Sequence, residues 1–470
     1  MRRLMVVLMS VTAIAVSAQG SREPDWATLE EETLRHFQTL VRMDTTDPPG
    51  GERPAAEYLK QVLDRAGIPS QMFALEAHRP NLVARLKGNG KKRPLLIMGH
   101  TDTVNVDPAK WKFPPFSATR SDGHIYGRGT VDDKDNVVAA LMSMLTLKRL
   151  NVPLDRDVIF LAESGEEGST RVGIQFMVNQ HFAEIDAEFC FAEGGGMVRE
   201  GGQVKYATVQ TLEKIPRAIE LTARGPAGHG SIPLRTNAVA HLAAAVAKVA
   251  AWEPPISLNE TSAGYFKRLA TISSPQAGER YRNVLDPDPK VSGPAAEYLL
   301  EREPRLAALL RHSISPNIIQ AGYRVNVIPS EAKATLDVRL LPHESDPAKF
   351  LEEIRKVVND PAVDVSWAPR DVRPGNPAAS LDNDAFAVIE AAVTKHYRAT
   401  NIPTMSTGAT DMAYLRAKGM QCYGVGPATD VEDGPLGFGS HSDQERIREE
   451  ELQRFVRFHY DLVAGVARAR

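Results

Sequence analysis

Apolar residues follow two rhythms along this chain. Between 93 and 194, short unbroken apolar runs alternate with stretches of helical spacing. The run 94–99 (PLLIMG) ends at His100, 157–162 (DVIFLA) leads to a pair of glutamates, and 188–192 (EFCFA) ends at Glu193. Unbroken runs suit strands covered on both faces. Between them, 136–150 places Val137, Leu141, Leu145 and Lys148 at helical spacing. Strands alternating with helices predict a largely parallel sheet, with chemistry at the carboxyl ends of its strands.

Near Thr211 the rhythm changes. The stretches 216–223 (PRAIELTA) and 333–341 (KATLDVRLL) alternate apolar with polar, and a helix-like segment at 237–251 lies between them. This predicts an antiparallel sheet with helices on one side. After Pro342 the first rhythm returns: a helix at 347–358, a strand at 363–367, a helix at 383–397, a strand at 421–425 and a long last helix from Asp443. The fold class is therefore α/β. A mostly parallel-sheet catalytic domain in two parts, 22–211 and 342–470, is interrupted by an inserted α+β domain at 212–341. Residues 252–312, rich in Pro, Glu and Arg, read as an expanded helical or loop region of that insert.

Length supports this division, since 470 residues exceed what one hydrophobic core organises. A net charge of −3 and the lack of a basic stripe give no reason to expect nucleic acid as a partner. At the start, Arg2 and Arg3 precede an apolar run at 4–16 and the small-x-small pattern Val16-Ser17-Ala18. This is the form of an export signal, expected to occupy 1–18 and to be cleaved near Ala18. Its apolar run is too short for a permanent span, so the mature protein is expected in an exported aqueous compartment, periplasmic or secreted. Cys190 and Cys422 fall in predicted strands and read as buried free thiols, with pairing open to them in an oxidising compartment.

The candidate chemistry sits where the strands end. His100 and Asp102, two apart, share a face; His100 suits a metal, and Asp102 suits its other ring nitrogen. Asp132 and Asp133 open a helix after Gly127-Arg128-Gly129. Asp133 reads as a cap, while Asp132 is able to project toward a neighbouring strand end and bridge two cations. Glu166-Glu167-Gly168 offers one carboxylate for metal and one as general base. Glu193 adds a further carboxylate. His441, in Gly439-Ser440-His441-Ser442, is a lone loop histidine that gains meaning only beside such a cluster.

Taken together, GHTDTV at 99–104, YGRGTVDDK at 126–134, Glu166-Glu167-Gly168, Glu193 and His441 resemble the M20 metallopeptidases: co-catalytic zinc aminoacylases, carboxypeptidases, dipeptidases and succinyl-diaminopimelate desuccinylases. The resemblance covers nearly the whole mature chain. It implies two Zn2+ ions, with Co2+ or Mn2+ as substitutes, one held by His100, Asp132 and Glu193 and the other by Asp132, Glu167 and His441. It further implies Glu166 as general base and later acid, Asp102 as the orienter of His100, and a cis peptide between Asp132 and Asp133. The insert resembles the family's lid, which implies substrate contacts from His229, Asn326 and Arg339 and a homodimer formed through the lid. Arg339 suits a carboxylate, although pairing with Asp337 is an equal reading. Gly408, in Thr407-Gly408-Ala409-Thr410-Asp411, matches a substrate-lining turn, with Asp411 as a simple cap. The longer region after Trp252 departs from a minimal lid.

The expected activity is hydrolysis of a peptide or amide bond next to a free carboxylate. The substrate is a small peptide or, as the alternative, an N-acyl amino acid. A non-catalytic peptide-binding protein on the same scaffold is the competing class, and a poised glutamate beside a full ligand set argues against it.

Overall fold

The structure is a computed structural model that describes residues 23–369 and 372–469. The expected export segment, 1–18, lies outside the described residues. Among the described residues, no helix is long and apolar enough to cross a membrane.

A ten-stranded mixed sheet forms the larger body. Its middle runs Asn81–Leu86, Val158–Glu163, Leu95–His100, Phe189–Ala192, Gln421–Gly424 in space. From Val158–Glu163 to Gln421–Gly424 neighbouring strands are parallel. Antiparallel partners, such as Asn81–Leu86 on Val158–Glu163, extend the sheet outward. Every residue of Leu95–His100 and Val158–Glu163 is buried, which is what their unbroken apolar runs require. Helices Trp26–Val41, Lys134–Arg149, Asp384–Tyr397 and Glu449–Ala467 cover one face. Ile174–Gln180 and Met412–Arg416 cover the other. Cys190 and Cys422, both free and fully buried, occupy partnered positions on adjacent parallel strands.

A second, four-stranded sheet runs Ser313–Ala321, Glu331–Leu340, Ile215–Arg224, Val363–Trp367, antiparallel throughout. Its residues alternate: along Glu331–Leu340 every second side chain is buried under helices Ala238–Ala251 and Pro347–Val358. The outermost strand, Ser313–Ala321, leaves Ile318 and Ile319 exposed.

Three placements differ from the sequence reading. The helix at 347–358 and the strand at 363–367 exist as expected, but they belong to the second sheet, which therefore reaches Trp367. Their strand pairs with Ile215–Arg224, a contact that local rhythm does not encode. Residues 252–312 fold largely into helices, among them Glu260–Ile272 and Pro289–Arg302. These share a core with Leu212, Ile402 and Met405 and so clad the strand Thr400–Ser406 of the main sheet. The last helix starts at Glu449, because Arg446–Arg448 first pairs as a short strand with His124–Tyr126.

Candidate metal centre

The strand Leu95–His100 delivers His100 to the rim of the main sheet, where three loops meet it. His100 Nε2 lies 3.1 Å from Asp132 Oδ1. The other Asp132 oxygen is 3.0 Å from His441 Nε2, which is also 3.0 Å from Glu167 Oε1. Two groups of potential ligand atoms, His100–Asp132–Glu167 and His100–Glu166–Glu193, each fall within 4.8 Å of one another. Residues separated by more than three hundred positions thus converge on one edge.

The loops are fixed from behind by buried polar groups. The Asp102 carboxylate accepts from the backbone N–H groups of Gly165 (2.7 Å), Glu166 (3.2 Å) and Glu167 (3.0 Å). It therefore holds the loop that carries both glutamates. His100 Nδ1 lies 3.0 Å from the Asp102 backbone carbonyl and 3.5 Å from the carboxylate, so the backbone of Asp102 is the nearer orienting group. Gly168 is required by proximity: a Cβ there would stand 2.5 Å from the Asp47 carboxylate. Gly165 is required by its backbone, at φ +81°. Asp47 and Glu52 both pair with the buried Arg79 guanidinium.

Asp133 does not cap its helix. Its carboxylate instead accepts from the His100 N–H at 3.1 Å and from Asn136 Nδ2 at 2.6 Å, tying the helix start to the strand end. The peptide between Asp132 and Asp133 is cis, as the resemblance implies. Glu445 joins the two remote loops: it pairs with Arg128 at 2.7 Å and accepts from the Val131 N–H at 2.9 Å, four residues along the chain from His441.

This much buried acid polarises the whole site. Burial opposes charge on His100, but hydrogen bonds to Asp102 and Asp132 outweigh it and hold the imidazole well above its ordinary range. Hydrogen bonds to Asp132 and Glu167 carry His441 to about 10. Burial and the neighbouring Glu166 carboxylate push Glu193 well above the usual carboxylate range. Burial raises Glu166 too, against the attraction of Arg373. Crowded carboxylates around two imidazoles form a donor set that divalent cations satisfy, with nitrogen and oxygen ligands suited to zinc, cobalt or manganese.

Sequence reasoning missed Arg373. From a loop of the second chain segment it places Nη2 2.8 Å from Glu166 Oε1 and Nη1 3.0 Å from Asp411 Oδ1. Asp411 therefore makes no capping bond to its own helix, contrary to expectation. The turn that includes Gly408 is organised by Glu213, fully buried, which accepts from Thr410 N at 2.9 Å and from Arg416 Nη1 at 3.0 Å. No periodicity marks any of these three charged residues.

The lid residues make their hydrogen bonds within the insert. His229 and Asn326 meet on a small two-stranded ribbon, Gly228–His229 with Val327–Ile328, where the Gly230 N–H donates to the Asn326 carbonyl at 2.9 Å. Both are exposed. The Ser231 N–H donates to His229 Nδ1 at 3.2 Å, which leaves Nε2 as the hydrogen-bearing nitrogen facing solvent. Arg339 is engaged by Asp337, with Nε 3.0 Å from Oδ1 and Nη2 3.1 Å from Oδ2. Gly408 is exposed at the tip of its turn.

Comparison with known proteins agrees with this picture. The sequence profile of Peptidase family M20/M25/M40 matches residues 96–465. The chain is 29% identical over 393 residues to a probable carboxypeptidase S-like 2 of Dictyostelium discoideum, covering 82% of this chain and 74% of that protein. It is 28% identical over 434 residues to the N-fatty-acyl-amino acid synthase/hydrolase PM20D1 of Xenopus tropicalis, covering 87% and 80%. Among solved structures, the M20 family metallo-carboxypeptidase Sso-CP2 of Sulfolobus solfataricus superposes with a TM-score of 0.68 at 20% identity, covering 92% of this chain and 98% of that one. The YXEP protein of Bacillus subtilis, described as a dinuclear metal binding peptidase, superposes at 0.58 with 12% identity, covering 93% and 99%.

Proposed function

The chain belongs to peptidase family M20/M25/M40, which makes it a metal-dependent hydrolase, and from that premise we propose that it cleaves a peptide or amide bond next to a free carboxylate. The observation that carries this reading is the placement of Glu166 within one cluster with His100, Asp132, Glu167, Glu193 and His441. His100, Asp132 and Glu193 would hold one cation, and Asp132, Glu167 and His441 a second, with zinc as the resident metal. Bound there, such cations acidify water and polarise a carbonyl.

The chain's own groups supply the rest. Glu166 takes the proton from the attacking water and returns it to the leaving nitrogen. Asp102 holds Glu166 and Glu167 by their backbone amides, so both carboxylates keep their aim through the cycle. His229, with Nε2–H free, is a donor for the developing oxyanion once the lid approaches.

The substrate is a small peptide, which makes the protein an exported carboxypeptidase or dipeptidase. Likeness to an N-fatty-acyl-amino acid synthase/hydrolase over 434 residues supports a deacylase as the second reading, since both reactions release an amino acid with a free carboxylate. A second copy of this chain is the proposed partner, docking on the open edge strand Ser313–Ala321, where Ile318 and Ile319 are exposed. The deciding experiment strips the metal with chelator, restores Zn2+, Co2+ or Mn2+ in turn, and assays dipeptides beside N-acyl amino acids. Metal-dependent hydrolysis of either series is expected. Saturable binding with no hydrolysis in any remetallated form would reject the enzyme reading.

A further inference from the structure

We propose that Arg373 reads the substrate's free carboxylate, and that this exchange releases Glu166 to act as the base. The inference rests on the reaction proposed above, in which the broken bond lies next to a carboxylate. Glu166 has to reach the leaving nitrogen to return its proton, and a single carbon separates that nitrogen from the carboxylate. The substrate carboxylate therefore arrives within a short reach of Glu166, on the side of the leaving nitrogen, where a cation bonded to Glu166 can meet it. Arg373 Nη2, at 2.8 Å, occupies that position.

The surroundings suit an exchange of anions. Arg373 and Glu166 side chains are 13% and 9% exposed, so the pair is nearly shut from water and the guanidinium needs a carboxylate partner at every stage. Asp411, 1% exposed, holds Nη1 at 3.0 Å and keeps the arginine in place while Nη2 changes partner. An incoming carboxylate substitutes for Glu166 and keeps the guanidinium paired, and Glu166, free of the guanidinium, can turn to water. A substrate that ends in an amide offers no anion, so Arg373 stays on Glu166 and the base stays blocked. Arg339, the lid arginine to which the sequence pointed, has its fork on Asp337.

The test compares acid and amide forms of matched substrates, such as N-acetyl amino acids and their primary amides, on wild type and on Arg373→Gln and Arg373→Lys. Wild type is expected to prefer the acid by about 100-fold in kcat/KM, as for a charge-assisted hydrogen bond. Arg373→Gln should bring that ratio close to one, and Arg373→Lys, which keeps the charge but loses the planar fork, should give an intermediate value. A ratio unchanged in both variants, with acid and amide falling in parallel, would overturn the proposal and leave Arg373 as a support for Glu166. Calorimetry gives a reading independent of turnover: L-alanine, L-leucine and L-phenylalanine should each bind the metal-loaded wild type more tightly than their amides, and Arg373→Gln should abolish the difference. Hydrolysis of neither form by wild type would defeat the functional reading, while the calorimetric comparison would still decide the arginine.

Discussion

The rim of the main sheet and the ribbon of the lid are built on opposite terms. At the rim, His100, Asp132 and Glu167 are backed by Asp102, Asp133 and Glu445, so the chain's own hydrogen bonds hold the geometry. On the lid, His229 and Asn326 are exposed on their ribbon, and Ser313–Ala321 forms an open edge of the four-stranded sheet. Preorganisation of the first kind is what catalysis needs, since aligned groups cost nothing to reorganise at the moment of reaction. Exposure of the second kind fits a surface completed by something that arrives.

The contrast can be broken most sharply at the rim. Glu166→Gln should retain both metals by elemental analysis and lose turnover by about 10³-fold or more, the scale of a lost general base combined with a lost acid. His100→Ala should lose metal and activity together. If Glu166→Gln turned over at a near-normal rate with metal bound, the division of labour between the two adjacent glutamates would fail.

A smaller effect is expected just behind the rim. Glu213→Ala leaves the Arg416 guanidinium buried and unpaired, at a cost of about 3–5 kcal/mol, read as a fall in the denaturation midpoint. It should also loosen the turn that contains Gly408 and Asp411, because Glu213 is the acceptor for Thr410. Glu213→Gln, which keeps the shape, should recover part of the stability.

The smallest change in stability is expected on the lid. Ile319→Lys lies on an exposed edge, so the folded chain should shift by less than about 0.5 kcal/mol. Sedimentation should nevertheless show the proposed dimer replaced by monomer. A dimer that persists with lysine at that position would remove the edge strand from the proposed interface.

The same contrast explains what could be read from the chain in advance. Most of the candidate cluster was legible because His100, Glu167 and Glu193 follow apolar runs and Asp132 opens a helix, whereas His441 is a loop histidine that only the family resemblance joined to them. Helices such as Pro347–Val358 were legible from spacing alone. Which sheet that helix served was not, because the answer lies in the pairing of Val363–Trp367 with a strand over one hundred residues earlier. Arg373, Glu213 and Glu445 are single charged residues in loops or at a strand end, and each has a defining partner about two hundred or more positions away. Asp133 and Asp411 look like ordinary caps in sequence; in the fold Asp133 accepts from the His100 N–H and Asn136, and Asp411 pairs with Arg373.

The neighbouring thiols of Cys190 and Cys422 give this molecule an internal gauge of its own integrity. Neither sulfur meets solvent while the central strands hold together, and local fraying at loops or termini leaves them covered. The pace at which a thiol-reactive dye consumes them is thereby tied to rupture of the innermost layer, and it separates damage to the scaffold from disturbance confined to the catalytic edge.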